Sequence, residues 1–247
     1  MVKKIVGTGV LLVLALALQA GVKMYTLKSP DGKVKLEVTA GQGIAYSLFY
    51  DGRLLLKPSR IALHTDLPEA DHWENIRITG TKQRHVSETV QAPFYRVKEF
   101  GIDCNELELR LNNGFSLLMR AYNDGMAYRF VAGRKGEMTV VEERAEFNFA
   151  DDFEAYIPYS TNPKDPWNMA FQNFYTKAPL TQYNTELPAF LPLTVDAGAV
   201  KLTLLESDLE AYPGMFVRGD GKTPALKGVF AAYPQETFKN KWRCQET

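Results

Sequence analysis

Short apolar alternation, broken by turn signals, runs through most of the chain. Val34-Lys35-Leu36-Glu37-Val38 puts an apolar residue at every second position, and an extended strand sends all of these to one face. Tyr25-Thr26-Leu27 precedes it across Pro30-Asp31-Gly32, so the two stretches predict a hairpin. Ile44 to Tyr50 runs through Asp51-Gly52 into Leu54-Leu55-Leu56. Leu107 to Leu111 runs through Asn113-Gly114 into Phe115 to Tyr122, and Asp124-Gly125 marks the next turn. Each Asn-Gly or Asp-Gly pair tolerates the positive φ of a tight hairpin.

Further strands are predicted at Met126 to Val131, Met138 to Val141, Val200 to Leu205 and Leu226 to Tyr233. Glu142 to Asp152 reads as a short helix or, through Phe147-Asn148-Phe149, as another strand. Many strands without regular intervening helices predict an all-β fold, a large antiparallel β-sandwich of super-sandwich size. Tyr156 to Leu193 differs: Pro158, Pro163, Pro166, Pro179, Pro188 and Pro192 interrupt it, which predicts mostly ordered loop. Its aromatic residues Tyr156, Tyr159, Trp167, Phe171, Phe174, Tyr175 and Tyr183 suit either core packing or stacking on sugar rings. Packing is the favoured reading for each singly, with Trp167 the candidate for stacking.

The first twenty residues read differently again. Lys3 and Lys4 lead into an apolar run from Ile5 to Leu18, and Ala20 is a small residue at a cleavage point. Its strongly apolar part, Val10 to Leu18, is well under the roughly 20 apolar residues of a membrane span, so export with cleavage is expected, to the periplasm, without stable membrane insertion. The expected layout is a signal peptide at 1–20, one β-sandwich domain at 21–239 and a tail or linker at 240–247. About 225 residues suffice for a core without metal or disulfide. Cys104 and Cys244 are expected to remain unpaired, since Cys244 stands in a polar tail.

Charge narrows the partners. Lys+Arg 29 balances Asp+Glu 29, with no basic block to follow a phosphate backbone, so nucleic acid is not expected. His64, His72 and His85 lack metalloprotease spacing, and no P-loop or nucleophile elbow is present.

Glu206-Ser207-Asp208-Leu209-Glu210-Ala211-Tyr212-Pro213-Gly214-Met215 gathers carboxylates where the Val200 to Leu205 strand runs out. Glu206 is a surface acid or an oxygen ligand for Ca²⁺, which takes six to eight oxygens and needs further donors. Glu186, between Thr185 and Leu187-Pro188, is the runner-up for that part. Glu206 and Asp208 on one strand would point the same way, whereas a glycosidase pair must close on the bond from two sides. No catalytic residue is therefore assigned.

Three stretches together resemble the N-terminal domain of glycoside hydrolase family 97: Ser29-Pro30-Asp31-Gly32-Lys33, Tyr122 to Phe130, and above all Glu206 to Met215. The resemblance implies an exported α-glycosidase, acting on α-glucosides or α-galactosides, in which a front super-sandwich precedes a (β/α)₈ barrel and a small C-terminal sheet domain. It implies that the catalytic carboxylates belong to the barrel and that calcium joins barrel glutamates to one glutamate of the front domain. Glu206 matches that ligand; Ser207 stands where the family more often has alanine. The motif would then border the pocket for an α-linked oligosaccharide, with Asp208, Ser207 and Trp167 as substrate contacts. The chain alone is expected to be inactive, and a free-standing carbohydrate-binding module is the alternative.

Overall fold

A computed structural model describes residues 22–167, 172–210, 212–232, 237–239 and 244–246. The expected export segment 1–20 and Phe171 lie outside the described residues. The fold is all-β and antiparallel, and among the described residues the helical content is a 3₁₀ turn at Leu180–Gln182. The chain divides into two compact units, Met1–Glu142 and Glu143–Thr247.

The first unit contains β1 (Lys23–Lys28), β2 (Val34–Gly41), β3 (Gly43–Tyr50) and β4 (Arg53–Thr65), side by side in chain order. The β3–β4 turn holds Asp51 at φ 48° and Gly52 at φ 79°, the left-handed pair a tight hairpin requires. A second sheet runs β5 (Ile78–Gln91), β6 (Glu99–Leu111), β7 (Phe115–Tyr122) and β8 (Gly125–Ala132), again in order. The alternating positions Leu36 and Val38 of β2, Leu107 and Leu109 of β6, and Leu117 and Met119 of β7 are buried, forming a two-layer core. Trp73 lies 5.2 Å from the Phe130 ring and donates Nε1–H to Leu63 O at 3.1 Å, so its polar edge is satisfied inside.

β5 was not expected. Of its fourteen residues only Val86 is buried, so alternation has nothing to mark. It forms because its backbone pairs with β6 from Ile78↔Leu111 to Gln91↔Glu99. β7 pairs with β6 only from Cys104 onward, so the hairpin beyond that point projects as a two-stranded arm carrying exposed Phe94, Tyr95 and Val97.

The second unit contains β9 (Val140–Asn148), β14 (Met215–Gly219) and β15 (Ala225–Phe230), in the order β9-β15-β14. Glu142 to Asn148 is thus strand rather than helix, because Ala145 and Phe147, followed by Phe149, alternate onto the core. A four-stranded sheet follows in the order β11-β10-β12-β13, with β10 (Glu154–Ile157), β11 (Thr176–Pro179), β12 (Leu193–Ala197) and β13 (Val200–Leu204). β10 and β11 therefore give the aromatic region more regular structure than its prolines predict. The tail also pairs, as β16 (Thr237–Lys239) with β17 (Cys244–Glu246).

Tyr159 and Tyr183, both buried, tie the loops of this unit together. Tyr183 Oη donates to Val217 O at 2.8 Å, the Asn184 amide donates to Tyr159 Oη at 2.8 Å, and the rings meet edge-on at 5.1 Å.

Candidate functional site

The acidic segment leaves β13 through Leu205, which is 66% exposed, and returns at Met215, the first residue of β14. Glu206 is half-buried and turns back across the loop, its Oε2 accepting the Met215 amide at 2.6 Å. That bond closes the loop from 207 to 214 and fixes where the carboxylate stands. Ser207 and Asp208 are exposed on the loop, Asp208 at φ 62°, a left-handed conformation that aspartate tolerates better than most residues.

A second carboxylate belongs to this site. Glu143 of β9 accepts a hydrogen bond from Tyr212 Oη at 2.8 Å, and the Tyr212 ring packs edge-on to Phe230 with centroids 5.8 Å apart. Burial, reinforced by the nearby charge of Glu206, pushes the Glu143 carboxyl above its ordinary range. Burial likewise raises Glu206, opposed by the Met215 amide. Burial and the Glu143 charge raise the Tyr212 phenol, so it remains a donor. Two half-buried acids are thus held by neutral donors. Sequence reasoning missed Glu143, whose tyrosine partner lies 69 positions away.

Trp167 is partly buried against the cluster of Phe190 and Phe216, edge-on to Phe216 at 5.0 Å. Phe216 follows Met215, so the start of β14 carries both the amide that holds Glu206 and the ring that holds Trp167. Glu186 is exposed on its loop, with its own amide donated to Asn184 Oδ1 at 3.1 Å.

No group of three or more His, Cys, Asp or Glu side chains is placed to hold a metal among the described residues. Glu206 nevertheless suits a share in a calcium site: it is a hard, half-buried carboxylate on an exposed loop, with a second acid alongside. The remaining oxygens would have to come from elsewhere. Cys104, on β6, is a buried free thiol; the Cys244 side chain lies outside the described residues.

A different carboxylate environment occupies the first unit. Glu106, 5% exposed, accepts from Arg84 Nε at 2.6 Å and Arg120 Nε at 2.7 Å. Burial raises its pKa, but the two arginines more than offset this and hold it below the ordinary carboxylate range. It borders an open cleft of about 470 Å³ lined by Lys28, Gln83, Arg84, His85 and Asn105 among others. Asn105 Nδ2 donates to Lys28 O at 2.9 Å and Gln83 Nε2 to Thr26 O at 3.2 Å, so these amides cap the edge of β1.

Residues 27–245 match the family described as glycosyl-hydrolase 97 N-terminal. A retaining α-galactosidase from Bacteroides thetaiotaomicron is 39% identical over 231 residues, which cover 91% of this chain and 34% of that protein. A probable retaining α-galactosidase from Streptomyces bingchenggensis is 26% identical over 158 residues, 62% of this chain and 24% of that protein. The chain therefore spans about a third or less of the length of these curated relatives. Among solved structures, a family 97 glycoside hydrolase from Pseudoalteromonas sp. strain K8 in complex with panose superposes with a TM-score of 0.70 at 18% identity, over 83% of this chain and 32% of that one. A β-arabinopyranosidase structure gives 0.70 at 20% identity, over 87% and 36%. At such identities these structures speak to the fold alone.

Proposed function

The chain belongs to the glycosyl-hydrolase family 97 N-terminal domain family, and on that premise we propose that it completes the substrate pocket of an exported, periplasmic α-glycosidase whose catalytic carboxylates lie in a partner barrel domain. The observation that carries this reading is Glu206. Its carboxylate is half-buried, oriented by the Met215 amide and set on an exposed loop, where a second domain can reach it. An acid meant only for solvent has no need of such a bond.

In this reading Glu206 contributes one ligand to a calcium ion whose other oxygens belong to the barrel. Bound there, calcium would supply positive charge to the Glu206 carboxylate and to sugar hydroxyls. This chain's residues do the positioning. Met215 N–H aims Glu206, and Tyr212 holds Glu143 beside it. Asp208 and Ser207 present hydroxyl-binding groups from the same loop, and Trp167 supports the loop from behind Phe216 with its indole as the apolar contact for a sugar. An α-galactoside is the preferred substrate class, because the 39%-identical relative is an α-galactosidase.

The test is a chimaera in which this chain replaces the matching front third of the Bacteroides enzyme. Calcium-supported hydrolysis of an α-galactoside is expected to survive. Glu206→Gln, which keeps an oxygen for the Met215 amide but loses the charge, should raise the calcium concentration needed by about tenfold or more. Unchanged calcium dependence in that variant would remove Glu206 from the site. The purified chain alone should release no sugar from maltose or from an α-galactoside, and measurable release would refute the division of labour.

A further inference from the structure

Burial sorts the aromatic residues of the proline-rich region into two sets. Tyr159 and Tyr183 are buried and Trp167 packs on Phe216, whereas Tyr156, Phe174 and Tyr175 are 37%, 94% and 48% exposed. The exposed three lie toward the β11 margin of the four-stranded sheet. Tyr156 is on β10, and Phe174 and Tyr175 lead directly into β11. The Phe174 backbone is ordered, since its amide donates to Asn173 Oδ1 at 2.8 Å while Asn173 Nδ2 donates to Tyr159 O at 2.8 Å. Tyr175 Oη donates to Pro192 O at 3.3 Å, which draws its ring toward the start of β12.

The strand register turns this margin into a surface. Ala155 and Ile157, flanking Tyr156, are fully buried, so Tyr156 points to the opposite face. On that face Lys177, Tyr156, Thr194 and Thr203 are direct cross-strand partners, one row crossing all four strands. Thr194 Oγ1 and Thr203 Oγ1 are 3.0 Å apart, a paired donor and acceptor. The neighbouring row is Pro179, Glu154, Asp196 and Lys201. Lys177 Nζ pairs with Glu154 at 2.7 Å and stands 6.0 Å from the Tyr156 ring centroid, and Lys201 pairs with Asp196.

The chemistry of the face selects its ligand. Two lysines cancel two carboxylates, so it attracts neither a polyanion nor a strongly basic partner. A phenol ring supplies an apolar plane, while hydroxyls, a carboxylate and an ammonium surround it with donors and acceptors. A pyranose is the complement of that arrangement, with an apolar C–H face and a rim of hydroxyls. We propose that the outer face of the β11-β10-β12-β13 sheet is a carbohydrate-contact surface, in which Tyr156 stacks on a ring of a neutral oligosaccharide and Thr194, Thr203 and Glu154 bond its hydroxyls. The family reading guides only the choice of sugars for the test, since Glu206 takes no part in this face.

The experiment titrates maltotriose and raffinose separately into the full chain, following backbone and side-chain NMR shifts. Weak binding of one or both is expected, with the shifts centred on β10 and β12. Tyr156→Ala should weaken it about tenfold and Tyr156→Phe should retain it, because the ring face and not the hydroxyl carries the stack. Thr194→Val should weaken it less, and Glu206→Gln should leave it unchanged, which separates this face from the calcium proposal. Matching far-UV circular dichroism shows that the variants fold. Absence of binding to both sugars, or binding indifferent to Tyr156→Ala, overturns the proposal. So does sedimentation showing that the chain self-associates and that Tyr156→Ala abolishes the association, for then a second copy occupies the face.

Discussion

Glu106 in the first unit and the Glu143/Glu206 pair in the second are buried or half-buried acids treated in opposite ways. Glu106 receives two guanidinium donors, and its pKa falls. Glu143 and Glu206 receive a phenol and a backbone amide, and both pKa values rise. A carboxylate given its counter-charge within the fold is a structural tie. One given only neutral donors is oriented but left with its charge uncompensated, a poor arrangement for stability and a useful one for meeting a cation.

The largest effect expected from this contrast is at Glu106. Glu106→Ala leaves Arg84 and Arg120 without their shared acid, and should destabilise the first unit by about 3 kcal/mol. Urea unfolding followed by hydrogen exchange at β6 and β7 amides would measure it, and a loss below a few tenths would erase the distinction. Tyr212→Phe comes next. It removes the donor to Glu143 and should cost about 1 kcal/mol, read at β9 and β14 amides. The smallest change sharpens the contrast most because its sign reverses: Glu143→Gln keeps an acceptor for Tyr212 while deleting a disfavoured charge. It should leave stability at pH 7 unchanged or slightly improved, so destabilisation as large as that of Glu106→Ala would contradict the pKa directions.

Acidification should separate the units as well. For Glu143 and Glu206 the folded pKa lies above the unfolded value near 4.5. The folded state holds more protons between those values, so their contribution is most favourable below about 4.5 and is lost as pH rises through the folded pKa. For Glu106 the folded pKa lies below 4.5, so its contribution is present above that value and is lost as pH falls through the folded pKa. Mild acid should therefore protect β9 and β14 amides before stronger acid exposes those of β6.

The strands that alternate between core and water were legible in the chain: β2, β7, β8 and β13 fall where period-two patterning places them. β5 was not, because a strand exposed on both faces carries no burial code and is specified only by its partner. β10 and β11 were hidden among prolines for the opposite reason, each being four residues long, too short for a period to show. Glu206 was singled out through its motif, and the structure shows its bond to Met215. Glu143 was not, since nothing in Glu142-Glu143-Arg144 announces a tyrosine supplied from the far side of the loop. Local pattern reports which face a residue takes, and cannot report which distant group it meets there.

The bond from Met215 N–H to Glu206 makes the acid's aim and the first rung of β14 a single mechanical joint. A pull on the carboxylate tugs the Met215 backbone, and one residue further on it reaches the ring on which Trp167 leans. Occupation of Glu206 by a cation alone would thus register in the indole's surroundings before any sugar reaches it. The tryptophan is placed to serve as a built-in strain gauge for the loop.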